Sequence, residues 1–219
     1  MKILGKFPST RLRRVRNSDW VRRLISENNL SANDLILPIF LTEGKNKKEK
    51  IKTMPGIYRY SLDKLSSILD EAEKFKIPMI ALFPNTSNHK RDHNGSEALN
   101  ENNLICRAIK LIKKKYNKFG IMTDVALDPY TSHGHDGIIR NDKIDNDGTL
   151  KILEKQALLQ ASVGSDVIAP SDMMDGRIGI IRKSLDKNEL KDTQILSYAV
   201  KYASSFYGPF RDAIGSKQK

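Results

Sequence analysis

From Asp34 onward, short apolar runs alternate with longer stretches whose apolar residues recur every three or four positions. Leu35-Ile36-Leu37-Pro38-Ile39-Phe40-Leu41 is continuous enough to be a strand buried on both faces. Residues 61–75 then place Leu62, Leu65, Ile68, Leu69 and Ala72 at helical spacing. The pair recurs: strand 77–83 with helix 103–116, strand 120–127 with helix 150–163, strand 166–169 with helix 177–190, and a fifth strand at 193–200. Strand–helix units in series predict a parallel sheet with right-handed crossovers, hence an α/β fold.

The strand ends decide which α/β architecture to expect. Polar groups gather at each: Pro84-Asn85-Thr86-Ser87, Asp128-Pro129-Tyr130-Thr131-Ser132, Pro170-Ser171-Asp172 and Lys201-Tyr202-Ala203-Ser204-Ser205. The loop after the first strand has no Gly-rich phosphate fingerprint, so the pattern favours a (β/α)8 TIM barrel over a doubly wound sheet. A closed barrel of this kind needs eight strands and usually about 250 residues. This sequence reads as the first five units, in an incomplete barrel domain at residues 31–219. Residues 1–30 read as an arm: polar, basic and weakly periodic, with a short helix starting near Ser18-Asp19-Trp20, and suited to packing on another subunit.

Charge changes this picture little. The net charge of +12 is concentrated in the arm, in Lys45–Lys52 and in Lys113–Lys118. Neither lysine patch carries the interleaved surface aromatics of nucleic-acid binders, so no nucleic-acid partner is expected. The apolar runs fall far below the roughly 18–20 residues that span a bilayer, and the amino terminus has no continuous apolar segment of a secretory signal. No membrane association is expected, and the cytoplasm is the expected location. Cys106 lies on the apolar face of a helix and reads as a buried structural thiol.

Chemistry is concentrated in two places. Lys201 ends an otherwise apolar strand; a dry barrel mouth would disfavour its ammonium, lower its pKa and free the amine to attack a carbonyl, unless the side chain simply leaves the strand for solvent. Asp124 is polar within an apolar strand, which demands a partner or a function. Just beyond it, Asp128, His133, His135 and Asp136 form either a metal-ligand set or a hydrogen-bonded turn. His89 and His93 lie in a polar loop and read as solvated. Near the other end, Arg211 either forks onto a substrate carboxylate beside Tyr207 and Phe210 or pairs with a neighbouring aspartate.

Three long segments, T-D-V-A-L-D-P-Y-T-S-H-G-H-D-G, A-P-S-D-M-M-D-G-R and K-Y-A-S-S-F-Y-G-P-F-R-D, resemble porphobilinogen synthase, the δ-aminolevulinic acid dehydratase family. R-L-R-R-V-R, L-I-L-P-I-F and M-P-G-I-Y-R extend the likeness over essentially the whole chain. The resemblance implies a TIM barrel with an arm that embraces a neighbour, usually in an octamer. It implies condensation of two 5-aminolevulinate molecules to porphobilinogen with loss of water, in tetrapyrrole synthesis. By motif, Lys201 becomes a Schiff-base lysine, Asp124 and Ser171 active-site residues, and Tyr207, Phe210 and Arg211 parts of the substrate pocket and its lid. The zinc branch of the family carries cysteines where Ala126, Asp128 and Asp136 stand here, so the aspartate-bearing branch associated with magnesium is the closer match, and zinc is not expected.

In the family a second Schiff-base lysine, in an M-V-K-P motif, lies well beyond the Phe-Tyr-Gly-Pro-Phe-Arg segment, and it has no counterpart here. The expectation is therefore an amino-terminal portion of such an enzyme, with an open edge at strand five and no activity in isolation. Two other readings compete: a class I-type aldolase, for which one barrel lysine suffices, and a non-enzymatic assembly partner that docks through its arm.

Overall fold

A computed structural model describes residues 5–202 and 204–216. The first residues of the predicted arm (1–4), Ala203 in the run after strand five, and residues 217–219 of the predicted domain lie outside the described residues.

The arm contains a 3-10 turn, Leu12–Arg16, and helix α1, Asp19–Leu24, neither with a buried residue. Strand β1, Ile36–Thr42, opens the sheet. A hairpin follows, β2 (Lys48–Lys50) and β3 (Tyr58–Tyr60), where the sequence pattern reads as a polar loop. The pair is three residues deep, too short for an alternating pattern to be legible. Then come α2 (Ser66–Lys74), β4 (Met79–Asn85), α3 (Leu104–Lys115) and β5 (Gly120–Val125). A second small hairpin, β6 (Ile139–Arg140) and β7 (Lys143–Ile144), precedes α4 (Asn146–Ser162). The chain continues through β8 (Val167–Pro170), α5 (Arg177–Lys187), β9 (Gln194–Ile195) and α6 (Tyr207–Ile214).

Helix starts follow local chemistry. The Asn103 side chain accepts a hydrogen bond from Cys106 N and opens α3; the Asp145 side chain accepts one from Gly148 N and starts α4 four residues before the expected position. Cys106 is buried, and burial pushes its thiol up to about 11, as befits a structural residue.

The seven-stranded sheet has the order β2-β3-β1-β4-β5-β8-β9. All its pairings are parallel except β2 with β3, which confirms an α/β fold on a parallel sheet. Alternation along the strands separates two faces. Ile39, Leu41, Ile80, Leu82 and Ile121 point to one side with α2 and α3 residues such as Leu69 and Ile109, while Val125 and Ile168 pack with Leu153 and Leu185 of α4 and α5. Phe40, Ala81, Phe83, Met122, Val167 and Ala169 point to the other side, where Ala213 and Ile214 of α6 join them.

The predicted fifth strand is only partly a ladder. Two residues, Gln194 and Ile195, register with β8. The chain nevertheless keeps donating to its neighbour in alternate steps, Gln194 N to Asp166 O, Leu196 N to Ile168 O and Tyr198 N to Pro170 O. The one-edge hydrogen bonding keeps the chain beside β8 as far as Tyr198.

Candidate active site

β5 ends at Val125, and the next twelve residues fold into a tight loop closed at its neck. Leu127 N donates to Asp136 O, Tyr130 and Thr131 N donate back to Leu127 O, and the Thr131 hydroxyl donates to His135 O. The neck brings Asp128 and Asp136 together although eight positions separate them in sequence. Asp124, one strand position from the end of β5, points to the same inner side as Met122.

Lys201 reaches this cluster from the far end of the sheet. Its Nζ donates to Asp136 Oδ2 at 2.7 Å and to Ser171 O at 3.1 Å, and lies 5.3 Å from the centre of the Tyr207 ring. The lysine side chain is 19% exposed and the Asp136 side chain 8%, so the pair is largely shielded from water. A cavity of about 480 Å³ opens beside it, lined by Asp124, Asp128, Ser171 and Lys201 on its polar side and by Phe40, Met54, Phe83, Tyr198, Tyr207 and Phe210 on its apolar side. Phe210 holds that wall together, its ring packed edge-on to Phe83 at 5.1 Å and to Phe40 at 6.1 Å.

The electrostatics follow from burial with few countercharges. Asp124 Oδ1 is shut from solvent and has no hydrogen-bond partner among the described residues. Burial pushes this carboxyl up to about 7, with Asp136 and Asp172 adding to the rise and the Ser171 side chain and Lys201 opposing it. Burial and the charges of Asp136 and Asp124 hold Asp128 well above the carboxylate range. Asp172 rises to about 6, through burial above all.

For Lys201 the structure reverses the expected sign. Burial does work against the ammonium, but the charge and hydrogen bond of Asp136 outweigh it, and the lysine is held above its ordinary value. The partner decides this, not the dry site. The other reading, a lysine leaving for solvent, is excluded by the same geometry.

The predicted site residues therefore divide. Lys201, Asp124, Ser171, Tyr207, Phe210 and Asp128 converge on one cavity, with Asp136 directly behind the lysine. Arg211 stands apart from the cavity wall, its guanidinium 4.9 Å from the centre of the Tyr207 ring, and among the described residues it makes no ion pair with an aspartate. His133 and His135 spend Nδ1 on backbone amides, of His135 and Gly137 respectively, which is the hydrogen-bonded turn rather than a ligand set. His89 and His93 are exposed, the latter offering its carbonyl to the His133 ring. Two groups escaped the sequence reading. Tyr198 lines the cavity from the strand-five run, and Arg177 donates to Tyr198 O at 2.9 Å while facing the buried Asp172 carboxylate at 3.4 Å. Arg177 follows Gly176 directly, at the first position of a helix, where a basic residue is not a usual choice; that was the signal available.

The anticipated magnesium centre does not fit these side chains. Among the described residues no group of three or more histidine, cysteine, aspartate or glutamate side chains is placed to hold a metal ion. Ala126 contributes no donor, and Asp136 is already neutralised by an ammonium at contact distance.

A sequence model described as Delta-aminolevulinic acid dehydratase matches residues 9–219. The chain belongs to the delta-aminolevulinic acid dehydratase family. Family members carrying that name include proteins from Bradyrhizobium diazoefficiens, 55% identical over 94% of this chain and 58% of the relative, and from Methanothermus sociabilis, 49% identical over 96% and 65%. A third, from Ruminiclostridium josui, is 48% identical over 93% of this chain and 98% of its own length. The crystal structure of the family's Toxoplasma gondii ME49 member, in complex with the reaction product porphobilinogen, superposes with a TM-score of 0.91 at 42% identity and covers 95% of this chain and 59% of that one. The chain thus spans less than two thirds of the length of the Bradyrhizobium and Methanothermus family members. Among the described residues no helix is long and apolar enough to cross a membrane.

Proposed function

We propose that this chain carries porphobilinogen synthase chemistry, with Lys201 forming a Schiff base to 5-aminolevulinate. The observation that carries the reading is the shielded Lys201–Asp136 pair, at 2.7 Å, opening into a cavity whose other polar wall is a carboxyl titrating near neutrality. Substrate filling the cavity strips the Lys201–Asp136 pair of its remaining water, which favours the neutral amine and carboxylic acid over the ion pair, and Asp136 takes the proton across their 2.7 Å contact. The free amine then adds to the substrate ketone to give a carbinolamine. Asp124, half-protonated at about pH 7, gives a proton to the departing hydroxyl, water leaves, and the protonated imine remains facing the carboxylates. Phe83, Tyr207 and Phe210 keep bulk water away from an imine that it would hydrolyse.

The parallel strands supply, on this reading, the first five units of an eight-unit TIM barrel at residues 31–219, with residues 1–30 as an arm. Condensing two substrates requires the second lysine of the family's distal segment, so full synthase activity is proposed of the assembly that contains it. The arm supports a homo-oligomer, octameric by family likeness: Leu12, Trp20 and Leu24 are 83%, 63% and 76% exposed and lack a partner within the described residues of this chain. A cytoplasmic location, where a free thiol such as Cys106 persists, is part of the same proposal. The aspartates at 128 and 136 are chemically nearer to magnesium than to zinc, but the donor set is incomplete and no step above runs through an ion. Against an aldolase, the family relationship favours the synthase substrate.

The test is to incubate the protein with 5-aminolevulinate, reduce with borohydride and map the adduct by peptide mass. An adduct at Lys201, absent from Lys201→Met, is expected. Modification spread over surface lysines, or none at Lys201, overturns the assignment.

A further inference from the structure

We propose that Arg59 and Arg91 are positioning residues of the Lys201 cavity, acting as a two-armed clasp on the carbonyl end of α6. The proposal rests on the reading of the cavity given above, and deepens it. α6 carries Tyr207 and Phe210 in the cavity wall, and its last turn, Ala213 and Ile214, is buried against the inner face of the sheet. An eight-residue helix has little stability of its own, so what fixes its end fixes that wall.

A helix leaves its last carbonyls without intrahelical partners, and buried ones need replacements. Here the chain itself covers the first two. Gly215, at φ +66°, lets Gly215 N donate to Asp212 O and Ser216 N donate to Arg211 O, a left-handed C-terminal cap. The remaining carbonyls are covered from elsewhere in the fold. Arg59, on β3, donates from Nε to Ala213 O at 2.6 Å and from Nη2 to Asp212 O. Arg91, just beyond β4, donates from Nη2 to Ile214 O at 3.0 Å and from Nη1 to Gly215 O at 2.9 Å, while its Nε is anchored on Thr86 O at 3.0 Å. The Thr53 hydroxyl adds a bond to the Asp212 carboxylate at 2.9 Å. Two guanidinium groups therefore cover three carbonyls that the cap leaves open, and both lie where their charge complements the negative end of the helix dipole. The bonds span more than 120 sequence positions each, so they tie the segment after strand five back to β3 and to the loop after β4.

The contact is unlike a general core contact, because it is polar, lies at one end of one element and takes no part in the β4 and β5 ladders. Its loss is expected to free α6 alone. Arg59→Ala and Arg91→Ala, made singly in the full chain, should each raise hydrogen exchange of the α6 amides by about tenfold or more, with β4 and β5 amides unchanged. In borohydride trapping, the 5-aminolevulinate concentration that half-saturates Lys201 should rise severalfold, while the trapped fraction at saturation stays within about twofold. Arg91→Lys, which keeps the charge but not the fork, should recover part of the loss. Unchanged α6 exchange in both alanine variants overturns the clasp, and so does a rise shared equally by β4 and β5 in a variant that folds. Should an alanine variant not fold, the same local rise in Arg91→Lys supports the clasp, and its absence overturns it. Exchange needs no substrate, so failure of the unaltered protein to trap 5-aminolevulinate would refute the functional reading and leave the clasp separately testable.

Discussion

Thr123 and Asp124 are consecutive on β5, both polar and both withdrawn from solvent, yet they lie in opposite kinds of surroundings. Thr123 faces α4. Its hydroxyl bonds Gln160 Oε1 at 2.9 Å and Ser165 Oγ at 2.8 Å, Ser165 reaches two main-chain carbonyls, and Gln160 Nε2 reaches Asp124 O. Every member is neutral and partnered, so the network fixes how α4 sits on the sheet without storing free energy. Asp124 faces the cavity and, among the described residues, has one oxygen unpartnered, two further carboxylates nearby and a single ammonium among them. A strand's two-residue period is enough to place a structural and a reactive polar group one residue apart. The side with unmet bonding capacity is the side where chemistry is expected.

The largest effect that would break this contrast is at Asp124 itself. Asp124→Asn keeps the shape and removes the titration, so Schiff-base formation at Lys201 should slow by about 10²–10⁴-fold. A slowing of less than threefold would mean that Asp124 does not move the proton. Stability should respond in the opposite direction. A carboxyl raised to about 7 binds its proton more tightly in the folded than in the unfolded state. Its contribution to stability is therefore full below about pH 4 and is lost as pH rises to about 7, a change of up to about 4 kcal/mol. Thermal melts across that range should slope downward with pH in the unaltered protein and flatten in Asp124→Asn.

Thr123→Val tests the other side. Nearly isosteric, it leaves Gln160 Oε1 without its donor and should cost about 1–3 kcal/mol in denaturant melts, with trapping at Lys201 unaffected. A large loss of trapping would show that the two faces are coupled and that the contrast is false.

The sequence carried more of the fold than of this contrast. Alternating runs such as Leu35–Leu41 and the periodic 104–115 helix are local, and local patterns suffice to place β1, β4, β5, β8 and the helices between them. The β6–β7 hairpin was also local: Asn141 and Asp142, both with positive φ, form the two-residue turn between Ile139-Arg140 and Lys143-Ile144, a signal that so short a pair makes easy to pass over. The state of Lys201 was not local at all. Its sign depends on Asp136, 65 positions away, and no periodicity reports which carboxylate a lysine will meet. For the same reason Asp136 was recognisable as chemistry but not as a carboxylate already paired with an ammonium. Arg59, Arg91 and Arg177 looked like ordinary members of a basic chain until the fold brought them to carbonyls far along the sequence.

The smallest expected effect concerns a member of the outer face that, among the described residues, departs from full partnering. Gln156 on α4 donates Nε2 to Ala126 O at 3.3 Å, but its Oε1 is buried without a partner. If the outer face is purely structural, that oxygen is a small defect and nothing more. Gln156→Leu would remove a long hydrogen bond and the orphaned oxygen together, and the two effects oppose each other. The net change should stay within about 1 kcal/mol, against the larger cost at Thr123, where a bonded partner is left behind. A loss comparable to that of Thr123→Val would show instead that Oε1 has a partner in solution, and the cheapest place for one is a buried water bridging α4 to the loop at Ala126. The two faces of β5 would then differ in how water is admitted rather than in how many bonds are made.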